Sequence, residues 1–271
     1  MFYNNKDQMG RAVQLKEAPK RIISLVPSQT ELLYDLGADE TIVGITKFCI
    51  HPNEWFKRKK RIGGTKEFNF EKIAALKPDL IIGNKEENEQ KQIEELMKLY
   101  PVWMSDIKNL DDSLQMISSI GQLTERPGEA EQLVNEIQNE FRKIKDLPTL
   151  NIPTAYLIWN EPIMVAGTGT FIDEMLQKCG LQNIFSKTSS RYPEITAEEL
   201  QKKTLSLILL SSEPYPFKEK HIEAFRVLCP DAIIKLVDGE MFSWYGSRLK
   251  YAPAYFRELT ISLAQKRGLQ A

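Results

Sequence analysis

Histidine and cysteine are scarce in this 271-residue sequence, which holds 2 His and 3 Cys. Cys49, Cys179 and Cys229 are odd in number, widely spaced and form no CxxC pair, so they exclude a disulfide framework and a thiol-pair motif. Long apolar runs are missing too. The longest, residues 22–27 and 205–210, fall far short of the roughly 18 residues needed to span a bilayer. No excess of charge of either sign exists: 36 Lys+Arg stand against 37 Asp+Glu, a formal net charge of −1. That argues against a nucleic-acid partner, which needs a basic face. With 42% hydrophobic and 27% charged residues, the chain is neither disordered nor low in complexity. The first 25 residues lack a 7–15-residue apolar stretch and carry Lys6, Asp7, Arg11, Lys16, Glu17, Lys20 and Arg21. No secretory signal peptide is read there, so the chain is expected either never to be exported or to be numbered without its leader.

What is present is alternation. Strands are expected at 21–26, 41–48, 79–84 and 101–107, with helices at 31–36, 70–76 and 89–99. This order implies βαβ units and a largely parallel sheet. From 127 to 147, Ala130, Leu133, Val134, Ile137, Phe141, Ile144 and Leu147 form one apolar helical stripe, opened by Pro127 and closed by Pro148. Such a helix is either a surface helix of one large domain or a strut joining two lobes. Beyond it a hairpin is expected at 155–159 and 163–166 around Glu161-Pro162. A helix over 171–179 stops at Gly180, strands follow at 205–211 and 232–237, and a closing helix spans 253–265.

One internal match favours two lobes over one. Asn69-Phe-Glu71-Lys-Ile73 leads to Leu80-Ile-Ile82, and Thr196-Ala-Glu198-Glu-Leu200 leads to Leu207-Ile-Leu209. Every element recurs at a constant offset. In both copies a polar capping residue precedes a short helix, and Thr196 with Glu199 fits a capping box. Two further strand-to-helix junctions carry cap signals, Ser28 with Glu31 and Thr170 with Asp173. The first is either a structural cap or a ligand edge at a strand's carboxyl end. Gly167-Thr-Gly-Thr170 lacks the spacing of a dinucleotide site and the Lys of a P-loop, so a structural turn is expected.

Cys49 and His51 offer two metal ligands near a strand end, but a stable site takes three or four; no metal site is nominated. Residues 241–248 read Met-Phe-Ser-Trp-Tyr-Gly-Ser-Arg. Aromatics beside a few fixed polar groups suit a ligand pocket, with Phe242 and Trp244 as surfaces and Arg248 as an anion clamp. The competing reading is a hydrophobic loop tucked onto the core. Tyr192 and Trp159 are candidates for facing aromatic surface. No GxSxG, HExxH or kinase motif occurs, and no catalytic residue is nominated.

Arg21-Ile-Ile-Ser-Leu-Val-Pro-Ser-Gln-Thr-Glu31, Ile42-Val-Gly-Ile-Thr46, Ile73-Ala-Ala-Leu-Lys-Pro-Asp-Leu-Ile-Ile82 and Gly180-Leu-Gln-Asn-Ile-Phe185 together resemble the helical-backbone (class III) periplasmic substrate-binding proteins. These serve ABC importers for vitamin B12, iron-siderophores and haem, and the cobalamin-binding branch is the nearest in pattern. The resemblance implies an α/β fold of two Rossmann-like lobes with mainly parallel sheets, 1–123 and 150–271. One long backbone helix within 124–149 would join them, and ligand would sit in the cleft. It places transporter-docking carboxylates on Glu71 and Glu198. It places pocket positions on Phe48, His51, Thr65, Tyr192 and Glu240, to which the loop reading adds Phe242, Trp244 and Arg248. Thr65 stands where the branch has a Trp, which leaves corrinoid, siderophore and haem equally open. The implied partners are a large metal chelate and the membrane subunits of an ABC transporter, with no nucleic acid. No intrinsic cofactor is implied, since cobalt or iron arrives with the cargo. The protein is expected to be a monomer and extracytoplasmic. A cytoplasmic chelate-binding protein on the same fold is the alternative, and a two-domain α/β enzyme stands third.

Overall fold

The computed structural model describes residues 3–266. The chain begins β1 (Tyr3–Lys6), β2 (Ala12–Leu15), β3 (Ile22–Ser24), α1 (Pro27–Asp35), β4 (Ile42–Ile45), α2 (Asn53–Arg58), β5 (Lys60–Arg61), α3 (Phe70–Leu76), β6 (Leu80–Asn84), α4 (Gln90–Met97) and β7 (Val102–Ser105). Two helices follow, α5 (Leu110–Leu123) and α6 (Pro127–Lys143). The remainder runs β8 (Ile152–Trp159), β9 (Ile163–Val165), α7 (Phe171–Lys178), β10 (Leu181–Asn183), β11 (Glu194–Ile195), α8 (Ala197–Lys202), β12 (Leu207–Ser211), α9 (Glu219–Leu228), β13 (Ile233–Val237), α10 (Glu240–Ser243) and α11 (Ala252–Lys266).

These elements form two compact units. The first comprises Met1–Ile107, Asp111–Ile137 and Tyr245–Arg248; the second comprises Lys108–Leu110, Gln138–Trp244 and Leu249–Ala271. The division passes through α6, whose apolar stripe of Ala130, Leu133, Ile137 and Phe141 is buried, as is Ile144 just beyond it. The helix ends at Lys143 rather than at 147. Its last carbonyls are taken by tighter i→i+3 bonds, Ile144 N–H to Phe141 and Lys145 N–H to Arg142.

In the first unit the sheet order is β5-β4-β3-β6-β7, with every neighbour parallel. All five residues of β6 are buried, as a strand covered on both faces requires. Ile23, Leu25, Ile73, Ile81 and Leu96 form the centre of its core. In the second unit the order is β11-β9-β8-β12-β13, and β10 also pairs with β8. β10, β8, β12 and β13 are parallel, while the β8–β9 hairpin is antiparallel. Gly180 ends α7 with φ +69°, and a Cβ there would meet the Pro148 carbonyl at 2.7 Å.

The repeated segments become matching structural modules. α3 leads into β6 and α8 into β12, and the two strands are offset by 127 residues at both ends. β3-β6-β7 and β8-β12-β13 are each three adjacent parallel strands. The caps form in both copies: Asn69 Oδ1 accepts from Lys72 N–H at 2.8 Å, and Thr196 Oγ1 from Glu199 N–H at 3.1 Å. Thr170 likewise accepts from Asp173 N–H at 3.1 Å. Ser28 does not behave this way. The N-cap of α1 is Val26, without a side-chain cap, and Pro27 opens the helix. α5 and α9 were not expected from the strand–helix alternation.

Candidate functional site

In the first unit, the carboxyl ends of five parallel strands share one edge, the usual ligand edge of an open α/β sheet. A buried polar network holds the loops there. Thr30 Oγ1 donates to the Val26 carbonyl at 2.9 Å and lies 2.8 Å from Ser24 Oγ and 3.1 Å from Cys49 Sγ. Thr46 Oγ1 lies 3.1 Å from the same sulfur. Gln29 Nε2 and Asn84 Nδ2 both donate to Ser105 Oγ, at 2.7 and 2.9 Å. Asn88 Nδ2 donates to the Thr65 carbonyl at 2.9 Å, which ties the loop after β5 to the loop after β6. Gly83 makes room for this, since a Cβ there would lie 2.7 Å from Asn88 Oδ1.

On this foundation stand the exposed groups. Phe48 is 51% exposed and Ile50 48% exposed, both on the loop after β4. The Phe48 ring rests beside Gly64, and the Lys47 ammonium lies 5.1 Å from its centre. His51 and Thr65, both partly buried, belong to the same edge. Cys49 is a tether and not a ligand: it is fully buried between two threonines, and burial pushes its thiol up. Glu87, on the loop after β6, was not anticipated; desolvation raises its carboxyl above the ordinary range. Among the described residues, no group of three or more His, Cys, Asp or Glu is placed to hold a metal ion.

In the second unit the loops after β8, β12 and β13 share the corresponding edge. Trp159, 38% exposed, ends β8, and its ring meets Tyr215 edge-on at 5.5 Å. His221 braces Tyr215 from behind. Its Nδ1 lies 2.8 Å from the Lys218 N–H, and its Nε2 lies 3.2 Å from the Tyr215 hydroxyl. Glu240 opens α10 and is partly buried. Tyr192, also partly buried, lies on the segment laid along β9, where Gly167 N–H donates to the Arg191 carbonyl at 2.7 Å.

The expected aromatic loop at 241–248 is mostly core. α10 turns Phe242 inward, fully buried, with ring centres 5.1 Å from Tyr156 and 4.9 Å from Phe256. Phe242 therefore offers no ligand surface. Trp244 is 6% exposed, and its Nε1 donates to Glu213 Oε1 at 2.8 Å. Ser243 Oγ donates to the same oxygen at 2.5 Å, so this corner fastens the loop after β12. Arg248 lies in the first unit and grips its own chain: Nε and Nη2 donate to Glu31 Oε2 and Oε1 at 2.9 and 2.5 Å. One pair thus accounts for both departures, since Glu31 turns to Arg248 instead of closing a capping box.

Glu71 and Glu198 are both exposed in the first turns of α3 and α8. Hydrogen bonds from the Glu198 backbone and from Thr196 hold the Glu198 carboxyl below its ordinary value.

A family model described as periplasmic binding protein matches residues 22–228. The vitamin B12-binding protein of Pectobacterium atrosepticum is 28% identical over 242 residues, covering 86% of this chain and 86% of that protein. Among solved structures, the periplasmic vitamin B12 binding protein of Vibrio cholerae superposes with a TM-score of 0.78 at 23% identity, over 92% of this chain and 99% of its own. A possible iron-binding periplasmic solute-binding protein from Staphylococcus epidermidis has a TM-score of 0.74 at 27% identity, over 89% and 98%. The matched span takes in β3 through α9, the larger part of both sheets, and the chain belongs to the periplasmic binding protein family.

Proposed function

We propose that this protein is the substrate-binding component of an ABC importer, and that its cargo is a corrinoid or another large metal chelate such as a siderophore or haem. The observation that carries this reading is the Phe48–Ile50 shelf, apolar, exposed and fixed on a hydrogen-bonded loop at the carboxyl edge of a parallel sheet. Two large apolar side chains exposed together at the ligand edge of a parallel sheet offer contact surface to a ligand. An aromatic face suits a flat macrocycle or chelate, and Trp159 offers a second such face on the other unit. His51, Thr65 and Glu240 supply polar contacts, with Glu87 and Tyr215 added by the structure. In this reading residues 124–149 serve as the connecting helix, and the protein works as a monomer outside the cytoplasmic membrane. It binds and releases its cargo unchanged, as a binding protein and not a catalyst. Glu71 and Glu198 meet cations on the membrane subunits.

Absorbance titration with cyanocobalamin, haem and ferric siderophores tests the reading. One of them should give a saturable spectral change, and Phe48→Ala should weaken it about tenfold, the loss of one large buried contact. If none binds at high micromolar concentration, the reading fails.

A further inference from the structure

A dense cluster of positive charge lies apart from the carboxyl edges. Residues 57–61 read Lys-Arg-Lys-Lys-Arg, running from the end of α2 through β5. With Lys72, Ala75 and Leu76 of α3 they line a cavity of about 570 Å³. Two carboxylates pair with members of the cluster: Asp39 meets Arg58 at 2.5 Å and Lys59 at 2.7 Å, and Glu54 meets Arg58 at 3.2 Å. Arg61 donates to the Phe56 carbonyl and covers the Phe56 ring at 5.1 Å. Lys57, Lys60 and Lys72 are exposed and make no ion pair among the described residues. Six cations therefore line one groove, and Asp39 and Glu54 pair with only two of them, Arg58 and Lys59, in a chain whose formal charge is −1.

Crowding like charges costs stability unless a partner offsets it. Lysine or arginine on an edge strand such as β5 also deters unwanted strand pairing. That role accounts for Lys60 and Arg61. It leaves Lys57 and Lys72, which lie on helices and converge on the same concave surface.

We propose that this groove receives the phosphate groups of anionic lipids and holds the first unit against a bilayer surface. Lysine ammonium groups are point charges well suited to phosphate, and clusters of about four to eight Lys/Arg recognise anionic membranes. Lys72 directly follows Glu71 on α3, so the groove adjoins the residue assigned to docking on a membrane-embedded subunit. That adjacency rests on the proposed function; the charge cluster does not.

Co-sedimentation of the full chain with vesicles tests this. Vesicles of phosphatidylglycerol and phosphatidylcholine at low ionic strength should bind the protein, and pure phosphatidylcholine vesicles should not. Binding should vanish near about 1 M salt, where charges are screened within roughly 3 Å. At roughly fivefold per basic residue, Lys57→Gln/Lys60→Gln/Lys72→Gln should lower partition about a hundredfold. Its melting temperature should equal or exceed the parent's, since like charges are relieved, and its cargo affinity should match the parent's. Equal partition of parent and variant, or no preference for anionic vesicles, overturns the proposal. So does saturable, variant-sensitive binding of inorganic pyrophosphate without vesicle binding, which would mark a site for a soluble anion. Failure of the cargo titration would leave the vesicle result standing, so the two readings fail separately.

Discussion

Arg248 and Glu31 lie 217 positions apart in the chain and meet as a two-pronged ion pair with both side chains about 15% exposed. Each has a plausible local role in the sequence, one as an anion clamp and one as a capping acid. The structure pairs them with each other, a long-range partnership invisible to local pattern. Removing one member strands the other in a partly buried place. Arg248→Met should cost about 2 kcal/mol, and adding Glu31→Gln should recover part of it. A double-mutant cycle by urea unfolding measures this, and a coupling near zero would show the pair to be inert. Phe242 makes the same point about burial. Aromatic composition marks residues 241–248 as unusual, but composition cannot say whether a ring faces a ligand or a core. The fully buried ring among Tyr156, Tyr255 and Phe256 predicts a loss of about 3–5 kcal/mol in Phe242→Ala. Unchanged stability with weakened cargo binding would return Phe242 to the ligand surface.

Elements whose signals are local were the legible ones. The caps of α3 and α8 span three residues each, and both form. Asn69→Ala and Thr196→Ala should each lower stability by about 1 kcal/mol, whereas Ser28→Ala should cost less, since α1 has no side-chain cap. Thermal unfolding of the three variants decides this, and a Ser28→Ala loss equal to the others would contradict the cap assignment. α5 escaped notice for a physical reason. Ser113, Ser118, Ser119 and Gly121 give it modest intrinsic propensity, and its order comes from packing. A Cβ on Gly121 would lie 2.3 Å from the Ala130 Cβ, so α5 and α6 approach closely at a point that no periodicity reveals. The candidate site divides in the same way. The shelf at Phe48 and the positions of His51 and Thr65 follow from strand ends and family pattern. Ile50 and Glu87 emerge only when loops from separate strands are gathered at the edge of the first unit, and Tyr215 only when the same is done in the second.

At the scale of the whole chain, a repeated module presents one carboxylate on each unit. Glu71 and Glu198 are both exposed, both in the first turn of a capped helix, and both followed by a buried parallel strand of equal length. Hydrogen bonds lower the Glu198 carboxyl further, and an exposed glutamate is anionic at neutral pH in any case, ready for an arginine or lysine on another protein. Neither residue belongs to the candidate ligand positions. Losing both charges should therefore abolish cargo uptake through the cognate transporter while changing cargo affinity by less than about twofold, a difference of only ~0.4 kcal/mol. Glu71→Ala and Glu198→Ala singly should each weaken uptake, because an interface with two separated charge pairs keeps one of them. Glu71→Lys with Glu198→Lys should be worse than the alanine pair, since like charges then oppose each other across the contact. Uptake in cells and absorbance titration of the purified variants separate the two quantities. A matching loss of affinity would assign both glutamates to the fold or the cargo site. Full uptake by the double lysine variant would show that the membrane subunits recognise other surfaces of the two units.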